Sequence, residues 1–344
     1  MKPPKVIYLI TRAHGLKTHL IKQDQFLRML TWDNVSAIYD FLLKTDYSED
    51  LAVISPDSFD PSRMESVFLK KLSERLYFML EIADRKIKTA LASYARKIEI
   101  ENISRITRAI YAKEKISEDQ LILIPRKHQS VNFSVLIQAN SVREMVDLLG
   151  ETVYRDLKNA LPTYEKYDNP LVIEAQASKI CYELLWKSLR GIEDEDTVKE
   201  LIGTEIDLLN LRYLFAFKYM HMEQELLEKL MIDVKYKLPK DLAQQLEGIP
   251  YENIPDHIIW PSYKQIAKES VDLIRRGKLG ETENLFLQRL YSYAESLSIR
   301  NPNKMVYVFA YLELCAREAR NLTALIVGKQ LKMDVEKLRP LMLL

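Results

Sequence analysis

Three stretches of this chain carry the same helical signature about 110 residues apart, so the fold must accommodate one unit used three times. An acidic residue stands three positions before an asparagine, with Ile or Leu one and four positions after it. The sets are Glu99/Asn102/Ile103/Ile106, Asp207/Asn210/Leu211/Leu214 and Glu318/Asn321/Leu322/Leu325. The asparagines lie 108 and 111 residues apart (210 − 102 and 321 − 210). At about 100° per residue these positions fall within one stripe of an α-helix, where acid and amide share a face with two apolar anchors. They are therefore expected at a contact between helices, away from open water.

A similar string at Glu281/Asn284/Leu285 lacks the apolar fourth position, which is Gln288, and is out of register. The flanks separate repetition from accident. A basic-apolar pair precedes each asparagine by 31 or 32 residues: Lys71-Leu72, Lys179-Ile180 and Arg289-Leu290. Tyr47 and Tyr154 precede the first two asparagines by 55 and 56 residues, each two positions after a threonine (Thr45, Thr152), while the third segment offers a displaced Tyr263. The third segment diverges most, with Arg317 and Arg320 replacing Ile206 and Leu209. The expected organisation is three helical domains, 1–114, 115–225 and 226–344, the last opening on a proline-rich connector at about 235–262 that carries Pro239, Pro250, Pro255 and Pro261.

Composition points the same way. Only 8 glycines in 344 residues, with 47% hydrophobic and 29% charged residues, suit long amphipathic helices and predict an all-α protein. A balance of 50 basic against 49 acidic residues removes the general attraction to polyanions, so no nucleic-acid partner is expected. No stretch reaches the roughly 20 apolar residues that span a bilayer, and the N-terminus leads only into the short run Val6 to Ile10, which predicts a soluble, unprocessed chain. Cys181 and Cys315 lack CxxC spacing and have apolar neighbours, as buried free thiols of a reducing, cytoplasmic compartment do.

Helices are predicted over 16–30, 34–44, 62–82 and 84–112, then 141–162, 170–190 and 195–222, then 263–277, 281–298 and 303–330. The stretch from Ser55 to Ser62 reads as a loop ending in an N-cap. Leu121 to Pro125 reads as an extended connector.

The search for chemistry is largely negative. Gly277-Lys278 and Gly328-Lys329 lack the upstream glycine and following Ser/Thr of a phosphate loop and read as helix C-termini, so no nucleotide cofactor is expected. The histidines His14, His19, His128, His221 and His257 form no metal-binding pattern. The run Glu193-Asp194-Glu195-Asp196 lacks the spacing of an aspartate-rich magnesium motif and stands where acid offsets a helix dipole. No Ser or Cys sits in a nucleophile-elbow context, and catalytic residues are expected to be none. The helical tyrosines, among them Tyr77, Tyr94, Tyr182 and Tyr213, read as core or helix-junction residues.

The segments Glu205 to Arg212 and Tyr311 to Leu322, with Gly328-Lys329 after, resemble the C subunit of archaeal A-type ATP synthases, a family similar to the d subunit of vacuolar ATPases. The opening Tyr8-Leu9-Ile10-Thr11-Arg12 and Leu43 to Tyr47 extend the likeness nearly end to end. The chain departs where Lys97 and Ala316 stand in place of Glu205. The resemblance implies a funnel of three similar domains around a pseudo-threefold axis, which performs no bond-breaking step and links the central shaft subunits to the membrane rotor ring. It implies a location peripheral to the inner face of the membrane. The competing readings are a helical-repeat scaffold outside any rotary machine and an all-α enzyme with an unrecognised site. For Glu99, Asn102, Asp207, Asn210, Glu318 and Asn321 the expected role is structural, satisfying backbone groups or bases where helices cross.

Overall fold

The computed structural model describes residues 4–52 and 61–344, and among these the secondary structure is entirely helical. In chain order the principal helices are α1 (Pro4–Lys17), α2 (Gln23–Leu30), α3 (Val35–Leu42), α4 (Ser48–Leu51), α5 (Pro61–Ile82), α6 (Arg85–Ala112), α7 (Phe133–Leu136), α8 (Val142–Leu148), α9 (Leu161–Tyr167), α10 (Leu171–Ser188), α11 (Glu195–Tyr219), α12 (Gln224–Leu230), α13 (Leu242–Gln245), α14 (Pro261–Arg275), α15 (Glu281–Arg300), α16 (Val306–Gln330) and α17 (Val335–Leu338). Three long pairs recur: α5 and α6 begin at 61 and 85, α10 and α11 at 171 and 195, α15 and α16 at 281 and 306.

Their second members also end alike. Lys113, His221 and Lys332 each adopt a left-handed backbone, with φ of 58°, 53° and 52°. Each stands eleven residues after its asparagine. The following amide donates back five residues, Glu114 to Ala109, Met222 to Phe217 and Met333 to Gly328, at 2.9 to 3.0 Å. This is the bond that satisfies orphan carbonyls at a helix end.

The chain falls into two compact units. The first comprises Met1–Lys88, Asp119–Leu123 and Tyr291–Leu344. Its core joins both ends of the sequence, because Leu322, Leu325 and Ile326 of α16 and Leu338 of α17 pack into the cluster of Phe26, Met29, Ile38, Leu42 and Phe68. The second unit comprises Thr89–Glu118 and Ile124–Leu290. There α11 is buried along most of its length, including Val198, Leu201, Ile206, Leu211 and Phe215. Asn34 caps α3 by accepting from the Ala37 amide at 3.0 Å, and Ser141 caps α8 by accepting from Glu144 at 3.1 Å.

Several expectations need correction. Val6 to Ile10 belongs to the 14-residue helix α1, whose Val6, Leu9, Ile10 and Ala13 form one buried stripe. The helix expected over 16–30 is therefore two, broken at residues 18–22. The single helix expected over 141–162 is α8, a turn, a 3-10 stretch at Arg155–Ala160 and the start of α9. Its break follows from Thr152, whose hydroxyl donates to the Leu149 carbonyl at 2.7 Å and accepts from the Tyr154 amide at 3.1 Å, diverting the backbone from helix. Helix α5 starts at Pro61, before the expected cap Ser62, and most of the loop ahead of it lies outside the described residues. Helix α12 stands where the sequence pattern predicts no helix.

Gly277 ends α14 as expected, at φ 74°, with its amide on Ile274 and that of Lys278 on Leu273, both at 2.9 Å. Gly328 does not end a helix. It lies within α16, where a Cβ would come within 2.3 Å of Leu338 Cδ1, so its missing side chain admits α17. Cys181 and Cys315 are buried free thiols, and burial pushes both up to about 12.

Candidate functional site

The six signature residues lie on α6, α11 and α16, and each is at most 2% exposed. A buried carboxylate is costly unless donors surround it. Each of the three is surrounded, and in each case the donors come from elsewhere in the chain.

Glu99 accepts from the Ser130 amide at 3.1 Å and the Ser130 hydroxyl at 2.6 Å through one oxygen, and from the Tyr154 hydroxyl at 2.9 Å through the other. Asp207 accepts from the amides of Tyr236, Lys237 and Leu238 at 2.9, 2.6 and 3.2 Å and from the Tyr263 hydroxyl at 3.2 Å. Glu318 accepts from the Ile21 amide at 2.5 Å, the Tyr47 hydroxyl at 2.7 Å and the Arg75 guanidinium at 2.5 Å. One pattern underlies all three: a backbone amide and a tyrosine hydroxyl converge on an acid. Tyr263, displaced in sequence, still supplies that hydroxyl.

The tyrosine pairings run from segment to segment. Glu99 of the first binds Tyr154 of the second, Asp207 of the second binds Tyr263 of the third, and Glu318 of the third binds Tyr47 of the first. Glu99 and Ser130 are 31 residues apart, whereas Glu318 and Ile21 are 297 apart. Closing the longer loop costs about 2 kcal/mol more chain entropy on the logarithmic law of loop closure.

Asn210 and Asn321 act on the backbone. Asn210 accepts from the Ile232 amide at 2.9 Å and donates to the carbonyls of Ile232 and Val234 at 3.2 and 3.3 Å. Asn321 accepts from the Leu343 amide at 2.7 Å and donates to the Leu343 carbonyl at 3.3 Å. In both cases the partner lies 22 residues on, where the chain returns beside the helix it has just left. Asn102 is buried to the same degree.

Charge is handled differently at each acid. Burial raises Asp207 from its ordinary value against the pull of its three amides and Tyr263. Burial and the adjacent Glu318 charge push Tyr47 well up, and Tyr154 is raised mainly by burial. Burial opposes the charge on Arg75, but Glu318, Tyr47 and Cys315 together outweigh it and raise the guanidinium. Arg75 also reaches Asp46 at 3.4 Å and lies over the Tyr47 ring at 5.7 Å. Sequence reasoning passed over Arg75. It occupies the apolar stripe Phe68, Leu72, Arg75, Met79 of α5, and a lone cation on a core-facing stripe is the signal that finds it.

Lys97 and Glu205, which occupy the same register in the first and second segments, meet each other: Lys97 Nζ lies 2.5 Å from Glu205, which also accepts from Tyr182 at 2.6 Å. His14 stacks on Tyr307 at 3.8 Å, and His19 pairs with Asp46 at 2.8 Å. Among the described residues no three His, Cys, Asp or Glu side chains gather to hold a metal ion, and no helix is long and apolar enough to cross a membrane.

The chain matches the model of the ATP synthase (C/AC39) subunit family over residues 9–341. It is 22% identical over 341 residues to the C subunit of the A-type ATP synthase of Methanococcoides burtonii, covering 96% of this chain and 92% of that one. It is 24% identical to the corresponding C subunit of Methanocaldococcus jannaschii, covering 98% and 86%. To that of Haloferax volcanii it is 20% identical, covering 95% and 94%.

Proposed function

Because the chain belongs to the ATP synthase (C/AC39) subunit family, we propose that it is a non-catalytic central-stalk subunit of an A/V-type ATP synthase. It links the central shaft subunits to the membrane rotor ring and passes torque between ion translocation and ATP synthesis or hydrolysis. The observation that carries this reading is the extent of the family match, from residue 9 to residue 341. The signature acids support it: their oxygens are taken up by amides, hydroxyls and a guanidinium, as suits joints between helices.

On this reading the chain is three helical copies, 1–114, 115–225 and 226–344, forming a pseudo-threefold funnel. The recurring helix pairs, the matching left-handed helix ends and the pairing of each acid with the next segment's tyrosine support that arrangement. The three signature acids join neighbouring copies, Asn210 and Asn321 fix the returning chain beside its helix, and the six signature residues do not contact partners. The subunit is peripheral at the inner face of the membrane, held there through the ring. Each elementary charge crossing the membrane contributes about 2.3 kcal/mol per 100 mV. To pass that on without slipping, the subunit needs a rigid body and broad contacts, each on the scale of roughly 1,200 Å² or more.

Purification of the tagged chain from its own membranes, followed by native mass spectrometry, tests the reading. Ring and shaft subunits are the expected companions. A consistent set of unrelated partners would overturn it in favour of a scaffold outside a rotary machine.

A further inference from the structure

We propose that the Arg75–Glu318 pair is a clasp that holds α16 to the N-terminal helices, and that its release frees α16 while the rest of the chain stays folded. The proposal rests on the cyclic reading of the three acid–tyrosine joints, and on the rotary reading only for the load such a clasp would bear.

The three joints differ in how the chain backs them. Partners of Glu99 lie 31 and 55 residues along the chain, and those of Asp207 lie 29 to 56 residues along. Short tethers keep an opened partner at high local concentration, so such joints re-form readily. Partners of Glu318 are 297, 271 and 243 residues distant. This joint has no short tether behind it.

It is also the joint with a guanidinium inside it. Arg75 and Glu318 meet at 2.5 Å with side chains 5% and 2% exposed. At the first joint, Arg96 Nε stays 3.9 Å from Glu99 and has no hydrogen-bond partner among the described residues. At the second, the four hydrogen bonds of Asp207 come from three amides and a phenol. The charge pair thus stands where covalent support is weakest. It can control α16 because that helix contributes Ala319, Leu322, Leu325 and Ile326 to a core otherwise built by residues 21–68 and the C-terminal segment. A second bond beyond the clasp, from Lys329 Nζ to the Leu30 carbonyl at 2.6 Å, joins the same two regions and would open with it.

Hydrogen exchange read by mass spectrometry on the full chain tests the clasp. Arg75→Met should speed exchange about 100-fold in α16 beyond Glu318 and in residues 21–47, the scale expected when a buried pair loses one member. Helices α10, α11 and α14 should keep wild-type protection. Arg75→Met/Glu318→Gln, which leaves no lone buried charge, should show the same pattern more weakly. Asp207→Asn should loosen the chain around residues 236–238 and leave α16 protected. Unchanged exchange in α16, or acceleration spread evenly over both units, overturns the clasp. Failure of both Arg75 variants to fold overturns it too, because the pair would then support the whole core. The rotary reading fails separately, through missing ring and shaft subunits in the purification, and that result leaves the exchange pattern untouched.

Discussion

Glu318 in the first unit and Asp207 in the second are buried alike, yet they are stabilised by different means. Asp207 collects three consecutive amides from a loop that leaves its own helix and comes back, and it holds no arginine. Glu318 reaches across the sequence to one amide, one phenol and a guanidinium. A local loop can be shaped around a carboxylate at little cost in chain entropy. Segments brought together from opposite ends of the chain need a stronger attraction, which a charge-assisted hydrogen bond supplies.

The largest effect expected from this contrast is that of Glu318→Gln, which leaves Arg75 buried and uncompensated and should cost about 3–5 kcal/mol in urea denaturation. A loss no greater than that of Asp207→Asn would break the comparison. Next comes Asn210→Leu, which strands the Ile232 amide and two carbonyls. It should cost about 3 kcal/mol, lowering the thermal midpoint before it affects assembly with partners. A fully stable Asn210→Leu chain that no longer assembles would show the asparagine to be an interface residue.

The tyrosine hydroxyls sharpen the comparison further. Tyr47→Phe and Tyr154→Phe each remove a short bond to a carboxylate with few other donors and should cost about 1.5–3 kcal/mol. Tyr263→Phe removes a 3.2 Å bond from an acid that keeps three amides, and should cost about 1 kcal/mol or less by calorimetry. A reversed order would mean that the phenol, not the loop, holds Asp207.

The smallest effect is a slope. Burial raises Asp50, but hydrogen bonds from Lys70 and Lys71 outweigh it and leave its carboxyl below the ordinary value. The stability Asp50 contributes is present above its unfolded value and is lost as pH falls through its folded one. Asp207 is raised, so its sign is opposite: stability is lost as pH rises from its unfolded value through its folded one. Below about pH 4, Asp50→Asn should flatten the acid-side fall in the thermal midpoint, and above about pH 4, Asp207→Asn should steepen that fall relative to wild type.

Much of this was legible in the sequence because it is periodic. The stripes behind α5, α6, α10, α11, α15 and α16 fix those helices to within a few residues, and the acid–asparagine register marks the buried joints. What escaped depends on partners far away in sequence or on local competition. The stripe of α5 marks Arg75 as a cation facing the core, but its partner Glu318 is 243 residues away and only the folded chain brings α16 against it. Thr152 breaks a helix by a hydroxyl bond that no periodicity announces. Gly328 resembled a helix stop because nothing in its neighbourhood foretells that Leu338 must pack against it. The run Val6 to Ile10 hides the helical spacing of α1, whose stripe of Val6, Leu9 and Ile10 continues to Ala13.

The two thiols carry a practical consequence. With Cys181 and Cys315 buried and held to about 12, neither offers thiolate to a maleimide dye near neutrality. A cysteine introduced at an exposed position would therefore be the one labelled, so fluorophores could follow motion in the wild-type background without first removing native sulfur.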